Sequence, residues 1–423
     1  MKRRLIVGER IMYANGDRPV NCIFSVTLEG ALSEEDLNRA FDRLQARHPL
    51  LRAVILQEGT RSPYFDIRDT PAPSRVEVLP RNTDEDWVRV AVAEWQRPFD
   101  YQSAPLMRVL WLKGDAVSDL VLVLPHCICD GGTIVNLMRE LLAYAADPLL
   151  EAVPYASFDT TADLVAKSEM PGKGAVIRAR VFAYAARGIL SLLVRNKPVA
   201  SGRQYYMVRW PMDREQSQQL MAACKAAQTT VQAALGVAFL TAFGKVMGQE
   251  AKNKLICPVN IRKSVPGIRE DMMFAFAPVV ELSGADRNDA AFWSRARRMK
   301  ADLQQKIHKL NPNHLLVLTE YFHAAAGQMV KHLRTTKGGH DITLSNMGRL
   351  DIPAVYNGFN VKRVYAPSAA LPWRNPNTLV VTSFDGQLDF SLISEEHFLS
   401  RDRAQAVRDA FMFQLQQAVA VTG

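Results

Sequence analysis

The chain has 423 residues, 48% hydrophobic and 22% charged, enough for two sizeable cores and typical of a globular protein. Its five cysteines are odd in number and scattered, which argues against a disulfide framework and for a reducing, cytoplasmic setting. The net charge of +9 comes from dispersed basic residues with no basic run interleaved with aromatics; this speaks against nucleic acid and leaves a phosphate-rich small molecule or an anionic membrane surface as its reason.

The opening "MKRRLIVGERIMYANGD" starts basic, but Glu9 and Arg10 interrupt its apolar run, so no secretory signal is expected. Nor is any segment expected to reach the roughly 20 apolar residues of a membrane span. "NCIFSVTLEG" alternates as a strand, with Cys22, Phe24, Val26 and Leu28 on one face. Gly30 leads into a helix that Ser33 and Asp36 start as a capping box, that Leu37, Ala40, Phe41 and Leu44 pattern, and that Pro49 ends. "LRAVILQ" is a further strand. "PLMRVLWLKGDAVSDLVLVLPH" reads as two strands about a polar turn. The second, Leu120 to Leu124, lacks polar alternation and should be central, covered on both faces. Ile134, Leu137, Met138, Leu141 and Leu142 then recur at helical spacing.

"PYASFDTTADLVAKSEMPGKG", residues 154 to 174, reads as a linker, followed at 176 to 195 by a basic, apolar-rich helix. It combines Arg178, Arg180, Arg187 and Arg195 with Val181, Phe182, Ile189, Leu190, Leu192 and Leu193. Either it packs between two lobes with its arginines in solvent, or it docks on an anionic membrane. A second series begins at "YYMVRWPMD", with helices at 213 to 226, 230 to 247, 287 to 309, 313 to 334 and 401 to 420. Its strands are expected at "KLICPVNIR", "MFAFAPVVEL", "DITLSNMG", "NVKRVYAP", "NTLVVTSFD" and "QLDFSLIS". The mixture, without a strict βαβ rhythm, predicts two α/β lobes around mixed sheets: residues 1–160, a linker at 161–204, and residues 205–423.

The stretch "LVLVLPHCICDGGTIVNLMRELL" carries the chemistry. His126, Cys127, Cys129 and Asp130 are all potential metal ligands, but they crowd into five residues with no second ligand pair elsewhere, so no metal is expected. A thiol nucleophile is also disfavoured, because neighbours on an extended strand point to opposite faces. A general base fits better: histidine titrates near neutrality, and the helix start beyond it favours the neutral ring. Asp130 would orient that ring or fix its turn. A hydrogen-bonded turn histidine remains the competing reading of this motif taken alone.

"PHCICDGG" resembles the HxxxDG active-site motif of the CoA-dependent acyltransferase superfamily, which includes chloramphenicol acetyltransferase, the BAHD enzymes and peptide-synthetase condensation domains. "ALSEEDLNRAFDRLQARHPLLRAVI" resembles its N-terminal helix and RHxxLR signature, "CPVNIRKS" the strand ending in its arginine, "DITLSNMGRL" its SNxG strand, and "SFDGQLDFSLISEEHF" its closing hairpin. The resemblance spans nearly the whole chain and implies two chloramphenicol-acetyltransferase-like lobes with an active-site tunnel between them.

By that resemblance His126 is the catalytic base, Asp130 pairs with Arg262, Gly131 supports the turn, and Ser345 and Asn346 could donate to an oxyanion. His48 and Arg52 would organise the N-terminal lobe. The activity implied is transfer of an acyl group from acyl-CoA to a hydroxyl, or less readily an amine, of a small-molecule or lipid-like acceptor, with no permanently bound cofactor. Peripheral membrane contact accompanies the lipid-like acceptor. Pro125 stands where condensation domains carry a second histidine, and the BAHD DFGWG motif is missing. A condensation-type enzyme acting on carrier-protein-bound substrates and an inactive binding relative are the alternatives.

Overall fold

The computed structural model describes residues 1–59, 62–195, 197–198, 202–284 and 291–421. Among these residues the strands form two large mixed sheets and a small one. The first large sheet runs, edge to edge, Val355–Tyr356, Phe359–Val364, Asn21–Gly30, Val117–Pro125, Arg108–Lys113 and Glu77–Pro80, with Ser368–Ala369 also pairing on Asn21–Gly30. Its pairs are antiparallel except the last. The second runs Val279–Ser283, Lys254–Pro258, Ile342–Arg349, Thr378–Phe384, Gln387–Glu395 and Tyr205–Met212, parallel on both sides of Ile342–Arg349. The small sheet joins Lys2–Arg4, Tyr64–Ile67 and Ala53–Leu56.

Each large sheet carries helices on its outer face, the two-lobed arrangement expected. On the first, helices Glu34–Arg47 and Gly131–Ala146 cover Cys22, Phe24, Val26 and Leu28, together with Leu120, Leu122 and Leu124. The opposite face of the same strands, Ile23, Val121 and Val123, joins Met207, Val380 and Ile393 of the second sheet in a shared cluster. The Val117–Pro125 strand is therefore covered on both sides, which is why it carries no polar alternation. On the second sheet the helices Val231–Met247 and Arg401–Ala420 supply the core. The segment Val231–Glu250 is, contrary to expectation, long and apolar enough to cross a bilayer, but Ala234, Leu235, Phe239 and Phe243 are packed inside this core.

Several expected elements differ, each for a tertiary reason. In "MFAFAPVVEL" only Val279–Ser283 is strand. The Met273 amide donates to the Tyr155 hydroxyl (2.9 Å), the Met272 carbonyl accepts from Arg262 (2.8 Å), and Thr133 Oγ1 donates to the Phe274 carbonyl (3.3 Å). Side chains thus occupy backbone groups that a strand would have paired. The helix expected at 313 to 334 is interrupted by a 3₁₀ stretch, Thr319–Ala325, whose Glu320 carboxylate accepts from the Val7 amide and whose His323 carbonyl accepts from Arg10. Residues 285–290, the expected start of another helix, lie outside the described residues; the helix is observed over Phe292–Lys309. Helix Asp86–Gln96 is an addition to the expected elements. It sets Trp87, Ala91 and Trp95 into the cluster shared by the sheets.

The sheet membership also cuts across the expected division of the chain. Phe359–Val364 lies in the C-terminal portion yet pairs antiparallel with Asn21–Gly30. A fragment ending at residue 204 would leave Asn21–Gly30 as a bare edge of a buried, apolar sheet, a template for aggregation. Light scattering should show that fragment associating under conditions where the full chain does not. A monodisperse fragment with native-like circular dichroism would show that the inserted strand is dispensable.

Candidate active site

The turn that carries the chemistry follows directly from the sheet. The Asn21–Gly30 and Val117–Pro125 strands pair with Asn21 opposite Pro125 and Cys22 opposite Leu124, and the His126 amide donates to the Val20 carbonyl (2.7 Å). His126 thus continues the pairing by one residue and shares a face with Cys22, two positions along the partner strand. Asp130 then caps helix Gly131–Ala146, its carboxylate accepting from the Thr133 amide at 2.8 Å, a role suited to its short acceptor side chain.

His126 is half-buried. Its Nδ1 lies 2.8 Å from the Cys129 carbonyl. A carbonyl can only accept, so Nδ1 carries the proton and a neutral ring keeps its lone pair on Nε2. Asp130 does not hold the ring; its partner is Arg262. The Arg262 Nη2 group donates to both Asp130 oxygens (2.9 and 3.0 Å) and to Thr133 Oγ1 (2.9 Å), and Nη1 donates to the Arg269 and Met272 carbonyls (3.0 and 2.8 Å). The side chains of Arg262 and Asp130 are 5% and 20% exposed. The expected pair is therefore present, and it joins the two lobes: Arg262 follows the Lys254–Pro258 strand of the second sheet.

Gly131 is placed where a side chain would have to displace the end of Met347. A Cβ there would come within 2.7 Å of Met347 Sδ, so the SNMG segment packs directly on the helix start. Asn346 Oδ1 accepts from the Gly348 amide (2.9 Å), with Gly348 at φ +67°, and the ladder shifts register between Asn346 and Gly348. This bulge ends the regular pairing at the half-buried residues Ser345 and Asn346. His48 and Arg52 lie apart from this cluster. The buried His48 ring bridges Glu140 (2.6 Å) and Tyr155 (3.1 Å), and Arg52 donates to the carbonyl of Ala46 (2.7 Å), both contacts within the first lobe and its adjoining segment.

Cys22 is the residue that sequence reasoning placed only in a core face. Its thiol couples electrostatically to the His126 ring and lies beside the Cys129 thiol. Burial opposes charge on both Cys22 and His126. The two groups nonetheless favour each other's ionised forms through their opposite charges. Cys22 is drawn down to about 6 and His126 is pushed up to about 9. Burial holds the Cys127 and Cys129 thiols well above the ordinary range, so they remain neutral packing groups. The period-two alternation, with Cys22 two residues beyond the one opposite His126, was the signal for this contact, but it becomes usable only once the strand register is known.

The chain superposes on solved structures over nearly its whole length. Trichothecene 15-O-acetyltransferase of Fusarium sporotrichioides matches with a TM-score of 0.75 at 12% identity, covering 99% of this chain and 95% of that one. The first condensation domain of the calcium-dependent antibiotic synthetase matches at 0.70 with 15% identity, covering 99% and 97%. Polyketide synthase associated protein 5 of Mycobacterium tuberculosis matches at 0.69 with 15% identity, covering 97% of each. These likenesses define the fold as that of the CoA-dependent acyltransferases and condensation domains. The sequence profile of the condensation domain matches residues 14–317, and the chain belongs to that family. One of the plipastatin synthase proteins of Bacillus subtilis is 36% identical over 141 residues, 33% of this chain; the aligned part is 5% of that synthase's length. Family membership supports an acyl-transferring, condensation-type activity.

Two outcomes test this geometry. Asp130→Asn keeps an efficient helix cap, whereas Arg262→Ala strips donors from a carboxylate, a hydroxyl and two carbonyls. Either change leaves one member of the buried pair uncompensated, which costs on the order of 3–5 kcal/mol. Only Arg262→Ala also strips donors from Thr133 and two carbonyls, so denaturant unfolding should place it below Asp130→Asn; equal stabilities would contradict the hub. The second outcome concerns pH. A neutral imidazole is gained as pH rises through the value of His126, and Cys22 raises that value. Cys22→Ala should therefore move the rising limb of kcat/KM to lower pH, and an unmoved limb would show that the thiol does not tune the ring.

Proposed function

We propose that this protein transfers an acyl group from an acyl-CoA thioester to the hydroxyl of a small-molecule or lipid-like acceptor. The observation that carries the reading is the His126 ring: Nδ1 is committed to the Cys129 carbonyl, so the neutral imidazole offers Nε2 as the acceptor of a proton. The acceptor hydroxyl loses its proton to Nε2 as its oxygen bonds to the thioester carbonyl carbon. The resulting oxyanion collapses, the C–S bond breaks, and the proton on Nε2 passes to the departing thiolate. Ser345 and Asn346, at the bulge beside Gly131, supply donors for the oxyanion. Asp130 and Arg262 act by holding the turn that bears His126, and no acyl-enzyme forms.

A second reading has its own support. Several matched relatives are nonribosomal peptide synthetases, which favours a donor tethered to a carrier protein over free acyl-CoA. Pro125, in the place of the family's second histidine, weighs toward the CoA-dependent branch. Both readings keep His126 as the base.

Purified protein should be offered matched acyl groups on CoA and on pantetheinylated carrier protein, with alcohol and amine acceptors, and product formation followed by mass spectrometry. Ester formation from acyl-CoA is expected. Transfer from the carrier alone would replace the donor while leaving the chemistry intact. His126→Ala should lower turnover about 10²–10⁴-fold with an unchanged circular dichroism spectrum. Near-wild-type turnover in that variant would refute the role given to His126.

A further inference from the structure

Helix Lys173–Val194 is patterned in reverse for a surface helix. One stripe, including Val176, Ala179, Ala183, Leu190 and Val194, rests on the body of the protein, where Phe182 meets Phe322 edge-on at 5.8 Å and Arg180 lies 5.0 Å over the Tyr321 ring. A helix packed in this way normally turns polar residues outward. Here the outward pole carries Ile177, Val181 and Leu192, which are 61%, 65% and 75% exposed, with Tyr184 and Ile189 beside them at 69% and 58%. Spacings of four residues from Ile177 to Val181 and eleven from Val181 to Leu192 put these three on one line along a helix about 33 Å long. A continuous apolar face of this size marks an interaction site.

The charges around that face select the partner. From Lys173 to Arg195 there is no acidic residue, while Lys173, Arg178, Arg180, Arg187 and Arg195 are all basic. At 100° per residue Arg180 and Arg187 fall on one flank of the apolar line and Arg178 on the other. Joining this face to its copy in a second molecule would bring like charges together along the seam, which is repulsive. A bilayer containing anionic lipid takes both features at once: the side chains of Ile177, Val181 and Leu192 enter the acyl boundary while the arginines reach the phosphate level.

We infer that the Lys173–Val194 helix is an interfacial anchor that lays its outward face into an anionic lipid surface. The inference stands independently of the transfer chemistry, since it uses none of the residues around His126.

The test uses the full chain and sedimentation with vesicles of phosphatidylcholine, alone or mixed with phosphatidylglycerol. Binding should appear with the mixed vesicles, fall with added salt, and be weak on phosphatidylcholine alone. The exposed positions allow variants that spare the fold: Val181→Glu with Leu192→Glu, and separately Arg178→Gln with Arg187→Gln. Each pair should lower partitioning at least about tenfold, with the circular dichroism spectrum and the solution acyl transfer rate unchanged. Failure of the wild type to bind the mixed vesicles, or binding by both variants as strong as that of the wild type, would overturn the inference. So would a wild-type dimer that the glutamate variant converts to monomer without any vesicle binding, since a second copy would then be the occupant.

Discussion

The arrangement of the site depends on one guanidinium. Arg262 reaches from the second sheet to the helix that begins at Asp130, and there binds a carboxylate, a hydroxyl and two backbone carbonyls. Asp130 is also the cap of that helix. The same carboxylate therefore ends the turn bearing His126 and records the position of the opposite lobe. A buried ion pair contributes little net stability over a well-packed apolar pair, because both charges are desolvated. Its role here is better understood as geometric: an apolar replacement could fill the space but would not fix the angle at which the turn leaves the strand. Thr133 extends the same logic, since its hydroxyl receives from Arg262 and contacts both backbone groups of Phe274. The irregular backbone after Met272 is the consequence of serving this hub instead of a sheet.

Within that frame the histidine is constrained from two sides. The Cys129 carbonyl fixes its tautomer, and Cys22 sets how readily it holds a second proton. A thiol beside a neutral imidazole and a thiolate beside an imidazolium contain the same number of protons. The two therefore titrate as a pair, and Cys22 raises the pH at which the ring becomes the free base. The expectation that the helix start alone keeps the ring neutral omitted this partner. Cys22 is only 6% exposed, which suits a tuning group and not a nucleophile that must meet a substrate carbon.

The elements most legible in the sequence were those whose own residues decide them. Strand Asn21–Gly30, strand Val117–Pro125 and helix Gly131–Ala146 lie where alternation, unbroken apolarity and helical spacing put them. The Asp130–Arg262 pair was legible as a resemblance, and the structure contains it. Less legible were features settled by distant partners. Glu9, in sequence only an interruption of an apolar run, is fully buried in a two-bond ion pair with Arg3. Helix Asp86–Gln96 does carry a local signal, the spacing of Trp87, Ala91 and Trp95, but its amphipathic run is short. The basic helix posed a different problem. A packing helix and a membrane helix both require an apolar stripe, so composition cannot separate them; the structure places one apolar stripe on the body and leaves another facing outward.

Two features make the lobes interdependent beyond the arginine. The strand Phe359–Val364 leaves the second half of the chain to complete the first sheet, and the inner faces of both sheets close on one apolar cluster around Trp87 and Trp95. A loosening of either would act on the site through Met347, which packs against that cluster and lies within contact of Gly131. The glycine at 131 allows this contact, and the strand register shifts at Asn346, next to Met347. His126 comes from the first lobe, while Arg262, Ser345 and Asn346 come from the second. The arrangement around His126 is thus a property of the junction, and neither half of the chain contains it.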